Sequence, residues 1–179
     1  MKDLLAALGD DPDDYRQMLE DRKGPKTLGT CEWVPETAAY QSWLAKSPSR
    51  LWILGDAGKG KTMLALHLAT TLKGDSSATH FVHFFCSRDH GRNSGASILR
   101  SLIYQLLSQR PSLFEHVFDD YDKHGTKLFD DRKFQALWTI FARMLHDQNI
   151  APITCILDGL DECDEEGLED FWVKIKSLY

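Results

Sequence analysis

Leu51-Trp52-Ile53-Leu54-Gly55-Asp56-Ala57-Gly58-Lys59-Gly60-Lys61-Thr62 is the stretch that decides how the rest of the chain is read. Its first four residues are a short apolar run between Arg50 and Gly55, the composition of a parallel strand covered on both faces. The next eight fit G-x-x-x-x-G-K-[ST] at every fixed position, and a helix-patterned segment from about Gly60 to Leu72 follows at once. At such a corner, backbone N–H groups and the positive end of a helix converge on one point and favour an anionic phosphate there. Glycine lets the loop turn tightly and brings backbone up to the phosphate oxygens with no Cβ in the way. Gly55, Asp56, Ala57, Gly58, Lys59, Gly60, Lys61 and Thr62 are therefore the expected nucleotide contacts. Lys61 reaches the β- and γ-phosphates as a point charge, and Thr62 offers its hydroxyl to Mg²⁺. A chance glycine-rich turn is the plain alternative, and the strand before and helix after argue against it.

The second half of the site is expected 97 residues beyond Lys61, where Ile153-Thr154-Cys155-Ile156-Leu157 runs as an apolar strand into Asp158. In a parallel sheet ligands collect at the carboxyl ends of strands, so Asp158 and the loop after Leu54 are expected to face one crevice. Asp158 is then placed to hold Mg²⁺ together with Thr62, through water, because this small cation keeps much of its hydration shell. Asp161 and Glu162 follow and are the candidates for orienting or deprotonating an attacking water. Six carboxylates fall between Asp158 and Glu166, so a solvated acidic turn is the competing reading.

Outward from these motifs, helices alternate with strands. A short amphipathic helix is expected over Glu36 to Lys46, ended by Ser47-Pro48-Ser49. A turn at Gly74 to Ser77 leads into an aromatic strand at Phe81 to Cys86. Three helices follow: about Ser94 to Ser108 with Ile98, Leu99, Leu102, Ile103, Leu106 and Leu107 inward; from Pro111 with Leu113, Phe114, Val117, Phe118 and Tyr121 inward; and about Asp131 to His146. Gly167 to Leu178 is read as a closing amphipathic helix. Strands without polar alternation between helices predict an α/β fold, a mainly parallel sheet with flanking helices. Residues 1–30, with Asp10-Asp11-Pro12-Asp13-Asp14, read as a polar lead-in carrying one or two short helices.

Composition narrows the function classes. The 179 residues suit one domain, the net charge is −6, and no basic block offers a footprint for nucleic acid. No apolar run approaches the roughly 20 residues that span a bilayer, and the first residues lack a secretory signal, so a cytoplasmic setting is expected. Cys31, Cys86, Cys155 and Cys163 show no paired spacing and read as reduced core residues. The seven histidines lack zinc-ligand spacing, and the five tryptophans and nine phenylalanines mostly fall on packing stripes rather than on a base-stacking platform.

The run Leu157-Asp158-Gly159-Leu160-Asp161-Glu162-Cys163 resembles a NACHT-type Walker B element, in which a glycine follows the metal aspartate and an acidic pair comes just after. With Gly29-Thr30-Cys31-Glu32-Trp33, Leu51 to Thr62, Phe84-Phe85-Cys86, Ile98 to Leu107 and Pro111-Ser112-Leu113, the chain from about Asp13 to Tyr179 resembles the NACHT NTPase domain of fungal NOD-like receptors, the nephrocystin-3-like N-terminal type. That resemblance implies a P-loop NTPase core over 31–179, a partial NACHT domain in a signal-transducing ATPase or GTPase linked to heterokaryon incompatibility and regulated cell death. It implies phosphate contacts from Gly58, Gly60, Lys61 and Thr62, Mg²⁺ at Thr62 and Asp158, and water activation by Asp161 or Glu162. Arg88 is its candidate for sensing the γ-phosphate, against a solvated loop arginine. Partners implied are the nucleotide, ATP or GTP, and other domains of a longer protein or further copies of the chain.

The resemblance also implies a further strand between the phosphate-loop strand and the Asp158 strand, together with a sensor and a lid. The chain reaches Tyr179 without them, so the expected core is C-terminally truncated. The gap would be about two strand spacings, near 9 to 10 Å, and either more chain fills it or the strands close up differently. The resulting expectation is Mg-nucleotide binding by a switch module, with slow or absent hydrolysis because transition-state charges are missing. A scaffold or decoy domain that keeps the fold without turnover is the alternative.

Overall fold

The computed structural model describes residues 1–46, 49–74 and 79–176. The expected helix stop at 47–48, the turn over 75–78 and the end of the last helix at 177–179 lie outside the described residues. In chain order the elements are α1 (Lys2–Leu8), α2 (Pro12–Lys23), α3 (Ala38–Ala45), α4 (Lys61–Gly74), β1 (His80–Phe85), α5 (Gly95–Gln109), α6 (Glu115–His124), α7 (Phe134–Leu145), β2 (Ile153–Asp158) and α8 (Glu165–Lys176). Single 3₁₀ turns stand before α6 (Pro111–Phe114), on both sides of Asp130 before α7 (Gly125–Phe129 and Asp131–Lys133) and after β2 (Leu160–Glu162).

Local chemistry starts these helices. Asp11 accepts a hydrogen bond from the Asp13 amide with Pro12 in the first turn of α2, and the Thr37 hydroxyl accepts from the Tyr40 amide at α3. Ser94 and Ser97 form a reciprocal capping box at α5, whose apolar residues Ile98, Leu99, Leu102, Ile103, Leu106 and Leu107 are all buried, as their spacing predicts. The lead-in holds two helices, and Leu4 and Leu8 of α1 join the main core. Phe118 departs from its expected inward stripe and is half exposed, while Val117 on the same helix is buried.

The sheet consists of β1 and β2, parallel, with His80 opposite Ile153 and Phe85 opposite Asp158. Alternation sorts its side chains. Val82 and Phe84, with Leu157 opposite Phe84, face the core built by α5, α7 and Phe171 of α8. Ile156 lies on the other face, against Leu64 and Leu68 of α4, Tyr40 of α3 and Val34 just before that helix. Helices thus cover both faces, which makes the fold mixed α/β with a small parallel sheet.

The two sheet edges are treated differently. Along β1 the amide of Gln105 accepts from the His83 N–H (2.9 Å) and donates to the His83 carbonyl (2.8 Å). One helical turn on, Gln109 does the same for Phe81 (3.2 and 2.6 Å). Two glutamines four residues apart therefore stand in for a neighbouring strand and close that edge. β2 has no such cover among the described residues, and Cys155, expected in a buried strand, has exposed surface there although the packing around its thiol pushes its pKa up to about 12.

Leu51–Leu54 corrects the sequence reading. The segment is not a strand: Trp52, Ile53 and Leu54 are 57%, 41% and 88% exposed, and only Leu51 packs, against the Tyr40 and Leu64 cluster. An apolar run becomes a strand only when a neighbour takes its backbone hydrogen bonds, and no strand lies beside it among the described residues. The strands have not closed up across the gap. Trp52 rests instead on Trp172 of α8, with ring centroids 5.0 Å apart. Among the described residues no helix is long and apolar enough to cross a membrane.

Candidate nucleotide and metal site

The candidate phosphate loop is built from backbone that favours glycine. Gly58 and Gly60 have φ of 76° and 82°, and Gly60 delivers the chain into α4 at Lys61. Gly60 has no side chain with which to cap that helix start, so the first-turn amides of α4 depend on other partners. The Lys61 ammonium bridges the loop, donating to the Gly55 carbonyl (2.6 Å) and the Asp56 carbonyl (3.0 Å). Gly55, Asp56, Ala57, Gly58, Lys59 and Gly60 are all exposed, and the loop presents its backbone to solvent.

Thr62, one residue into α4, shares a side-chain hydrogen bond with Asp158 at the end of β2. The contact follows from topology. Asp158 shares a sheet face with Ile156, which packs on α4, and the start of α4 lies at the carboxyl end of that strand. Burial raises the Asp158 carboxyl above its ordinary value, the Thr62 hydrogen bond opposes the rise, and the nearby charges of Asp161 and Glu162 add to it while Lys23 counters. The half-buried Asp158 carboxylate and the Thr62 hydroxyl are two oxygen donors of the kind a hard divalent cation takes, whereas the exposed Asp161 and Glu162 act on Asp158 through their charge and do not gather with it into one ligand cluster among the described residues. Thr62 thus brings the start of α4 to the Asp158 end of β2, while the Lys61 ammonium stays on the Gly55 and Asp56 carbonyls.

Asp161 and Glu162 sit on the exposed 3₁₀ turn after β2. The turn is launched by Gly159 in the left-handed region (φ 71°, ψ 29°) and closed by a hydrogen bond from the Glu162 amide to the Gly159 carbonyl (2.8 Å). Arg88 donates from Nε to the Glu162 carbonyl (3.2 Å) and so ties the loop after β1 to the acidic turn.

Several residues around the site carry no sequence signal. Arg92 lays its guanidinium 4.3 Å from the ring centroids of both Tyr15 and Phe84 and donates from Nε to the Phe85 carbonyl (3.2 Å), beside Asp158 in register. Cys86, the residue after β1, and Cys163, at the end of the acidic turn, bring their sulfurs to 2.8 Å in an S–H···S contact. A cavity of about 540 Å³ opens beside α4, between Glu20, Asp21 and Lys26 on one side and Met63, His67 and Thr70 on the other. Elsewhere, Nε2 of His116 on α6 lies 2.8 Å from Asp147 and 3.9 Å from Glu115, a grouping that the histidine spacing did not announce.

Against this geometry stand the comparisons with known proteins. A family model described as Nephrocystin 3, N-terminal matches residues 29–178. The vegetative incompatibility protein HET-E-1 of Podospora anserina is 36% identical over 156 residues, which are 86% of this chain and 12% of that protein. No solved structure matches the chain.

Proposed function

The chain belongs to the nephrocystin-3 N-terminal family, and from that premise we propose that it binds ATP or GTP with Mg²⁺ as the nucleotide-switch module of a NOD-like signalling protein. The observation that carries the reading is the hydrogen bond between Thr62 and Asp158, two residues 96 positions apart that begin the phosphate-loop helix and end the acidic strand. A carboxylate is favoured at a helix start by the helix dipole, and here the same carboxylate and the Thr62 hydroxyl would be the residues to hold a divalent cation.

In this reading the amides of Gly58 to Thr62 hold the phosphates, and Lys61 releases the Gly55 and Asp56 carbonyls to pair with phosphate oxygens. Thr62 and Asp158 hold Mg²⁺, which when bound neutralises charge on the β- and γ-phosphates. Asp161 or Glu162 orients the attacking water, and Arg88 keeps their turn beside the strand end. Hydrolysis is slow, because the loop is exposed and unpaired apolar chain precedes it, leaving the transition state little water-excluded charge. A scaffold domain without turnover is the second reading, favoured by that same exposure.

Titration of labelled ATP and GTP with and without Mg²⁺ tests binding. We expect saturable, Mg²⁺-dependent binding that Lys61→Ala weakens by about ten- to a hundredfold, the worth of one charge-assisted hydrogen bond to phosphate. Asp158→Ala removes the Mg²⁺ dependence. Equal affinity in wild type and Lys61→Ala, with both folded by circular dichroism, refutes the binding site. Phosphate release then separates switch from scaffold, and equal release by wild type and Lys61→Ala defeats the catalytic half.

A further inference from the structure

We propose that Cys86 and Cys163 are a dithiol that hydrogen peroxide oxidises, reversibly, to an intramolecular disulfide that pins the Asp161–Glu162 turn to the end of β1. The two residues lie 77 positions apart and are 8% and 5% exposed, yet their sulfurs are 2.8 Å apart. A disulfide bond is about 2.05 Å long, so the sulfurs must approach by only about 0.8 Å.

The surrounding contacts hold the pair in register. The Cys86 amide donates to the Asp158 carbonyl (2.9 Å), which fixes the strand end. Gly159 is pressed on Cys86 so closely that a Cβ there would lie 3.1 Å from the Cys86 carbonyl oxygen. On the far side of Cys163, the Asp164 amide donates to the Asn93 carbonyl (2.7 Å), and the Asn93 side chain donates back to the Asp164 carboxylate (3.1 Å). Both cysteines are therefore positioned by backbone on each side, and two small apolar side chains filling a core need no such facing of sulfurs.

The chemistry balances with one peroxide. The Cys163 sulfur attacks an oxygen of the peroxide: an S–O bond forms, the O–O bond breaks, and the departing oxygen leaves as water with the thiol proton. Cys163 is then a sulfenic acid, oxidised by two electrons, and the peroxide has been reduced by two. The Cys86 sulfur next attacks the Cys163 sulfur; the S–S bond forms, the S–O bond breaks, and hydroxide leaves with the Cys86 proton as a second water. A dithiol reductant reverses the sum by thiol–disulfide exchange. Asp161 and Glu162 lie between Gly159 and Cys163, so the bond closes their turn at both ends; its bearing on hydrolysis rests on the nucleotide reading, whereas the bond itself does not.

The test uses the whole chain. Wild type and a Cys31→Ser/Cys155→Ser variant are treated with hydrogen peroxide while folded, quenched in acid, unfolded, alkylated and mapped by mass. The expected result is a linked peptide pair containing Cys86 and Cys163, the loss of the mass of two hydrogens, and recovery of both thiols with dithiothreitol. Half-buried Cys31 in the wild type is the internal gauge of dose. The proposal is overturned if a dose that oxidises Cys31 leaves Cys86 and Cys163 alkylatable, or links them only between molecules. Nucleotide affinity, measured on the same samples, reports separately on the phosphate site.

Discussion

Replacing Gly159 with alanine probes the turn that joins the Asp158 strand to the acidic residues. The position has φ 71° and ψ 29°, and an L-residue in that left-handed region costs about 1–2 kcal/mol. A second cost comes from contact. The new Cβ would lie 3.1 Å from the Cys86 carbonyl oxygen and 3.5 Å from the Cys86 Cβ. The obstructing oxygen is backbone, and its residue is anchored by the Cys86 amide donating to the Asp158 carbonyl, so relief requires moving the strand end and costs roughly another 1 kcal/mol. The sum is about 2–3 kcal/mol. Gly91→Ala is the matched control: φ there is also positive at 61°, but nothing lies within 4 Å of its Cβ position. In urea unfolding at neutral pH, Gly159→Ala should lose about 1 kcal/mol more than Gly91→Ala, and nucleotide turnover should fall in the former alone as the turn bearing Asp161 and Glu162 shifts. Equal losses in the two variants would refute the contact argument, and a loss under about 0.5 kcal/mol in both would refute the conformational one.

Two further expectations concern the sheet. His83 is buried against Asp13, Arg16 and Lys73, and burial lowers its pKa from 6.5 to about 4, with Asp13 and a Pro12 carbonyl contact opposing. The folded state therefore binds fewer protons at His83 than the unfolded one between those values; the His83 contribution to stability is full above pH 6.5 and should fall by about 2.5 kcal/mol from pH 7.5 to 4.5, with lowered His67 adding to the fall and raised Asp158 opposing it. Asp13 and Asp147, whose folded values lie below 3.8, lose their contribution only at lower pH, so a His83→Gln variant with an unchanged slope over this window would sink the assignment. Gln105→Leu keeps the helix but strands the His83 N–H and carbonyl in the core, and should cost about 2–4 kcal/mol in the same assay; a loss under about 1 kcal/mol would mean that water or a shifted strand satisfies them.

The glycine-rich turn before α4 and the Asp158 strand were legible because each is a local pattern whose meaning depends on neighbours in sequence. Gly58 and Gly60 need positive φ within one turn, and Asp158 needs only to end an apolar strand. Parallel pairing then brings helix start and strand end to one side of the sheet, so Thr62 and Asp158 were readable as a pair although 96 residues separate them. The Cys86–Cys163 contact had no such signal. Neither cysteine has a thiol at a spacing that implies partnership, and only the register of β1 on β2 brings Phe85 and Asp158 level and the residues beyond them together. Gln105 and Gln109 were hidden for another reason: polar residues four apart on an amphipathic helix read as a solvated flank, and their backbone partners belong to a strand more than twenty residues earlier.

The misread segment Leu51–Leu54 shows where pattern stops being sufficient. Helix formation is settled within the segment, since each N–H finds its carbonyl four residues back, and every expected helix that lies among the described residues is present. A strand's hydrogen bonds lie in another segment, so apolar composition states only that a run suits a sheet. At β1 the requirement is met on both sides, by β2 and by two glutamine amides. Among the described residues it is met on one side at β2 and on neither at Leu51–Leu54, where Leu54 is 88% exposed although its sequence is as strand-like as any in the chain. The same residues that make the run apolar thus make it costly to leave uncovered, by roughly 1.5–3 kcal/mol for each large side chain held in water instead of in a core. Filling the open edge of β2 with a strand should therefore bury Trp52, Ile53 and Leu54 together, and slowed hydrogen exchange of the β2 backbone amides is the direct measure of that event.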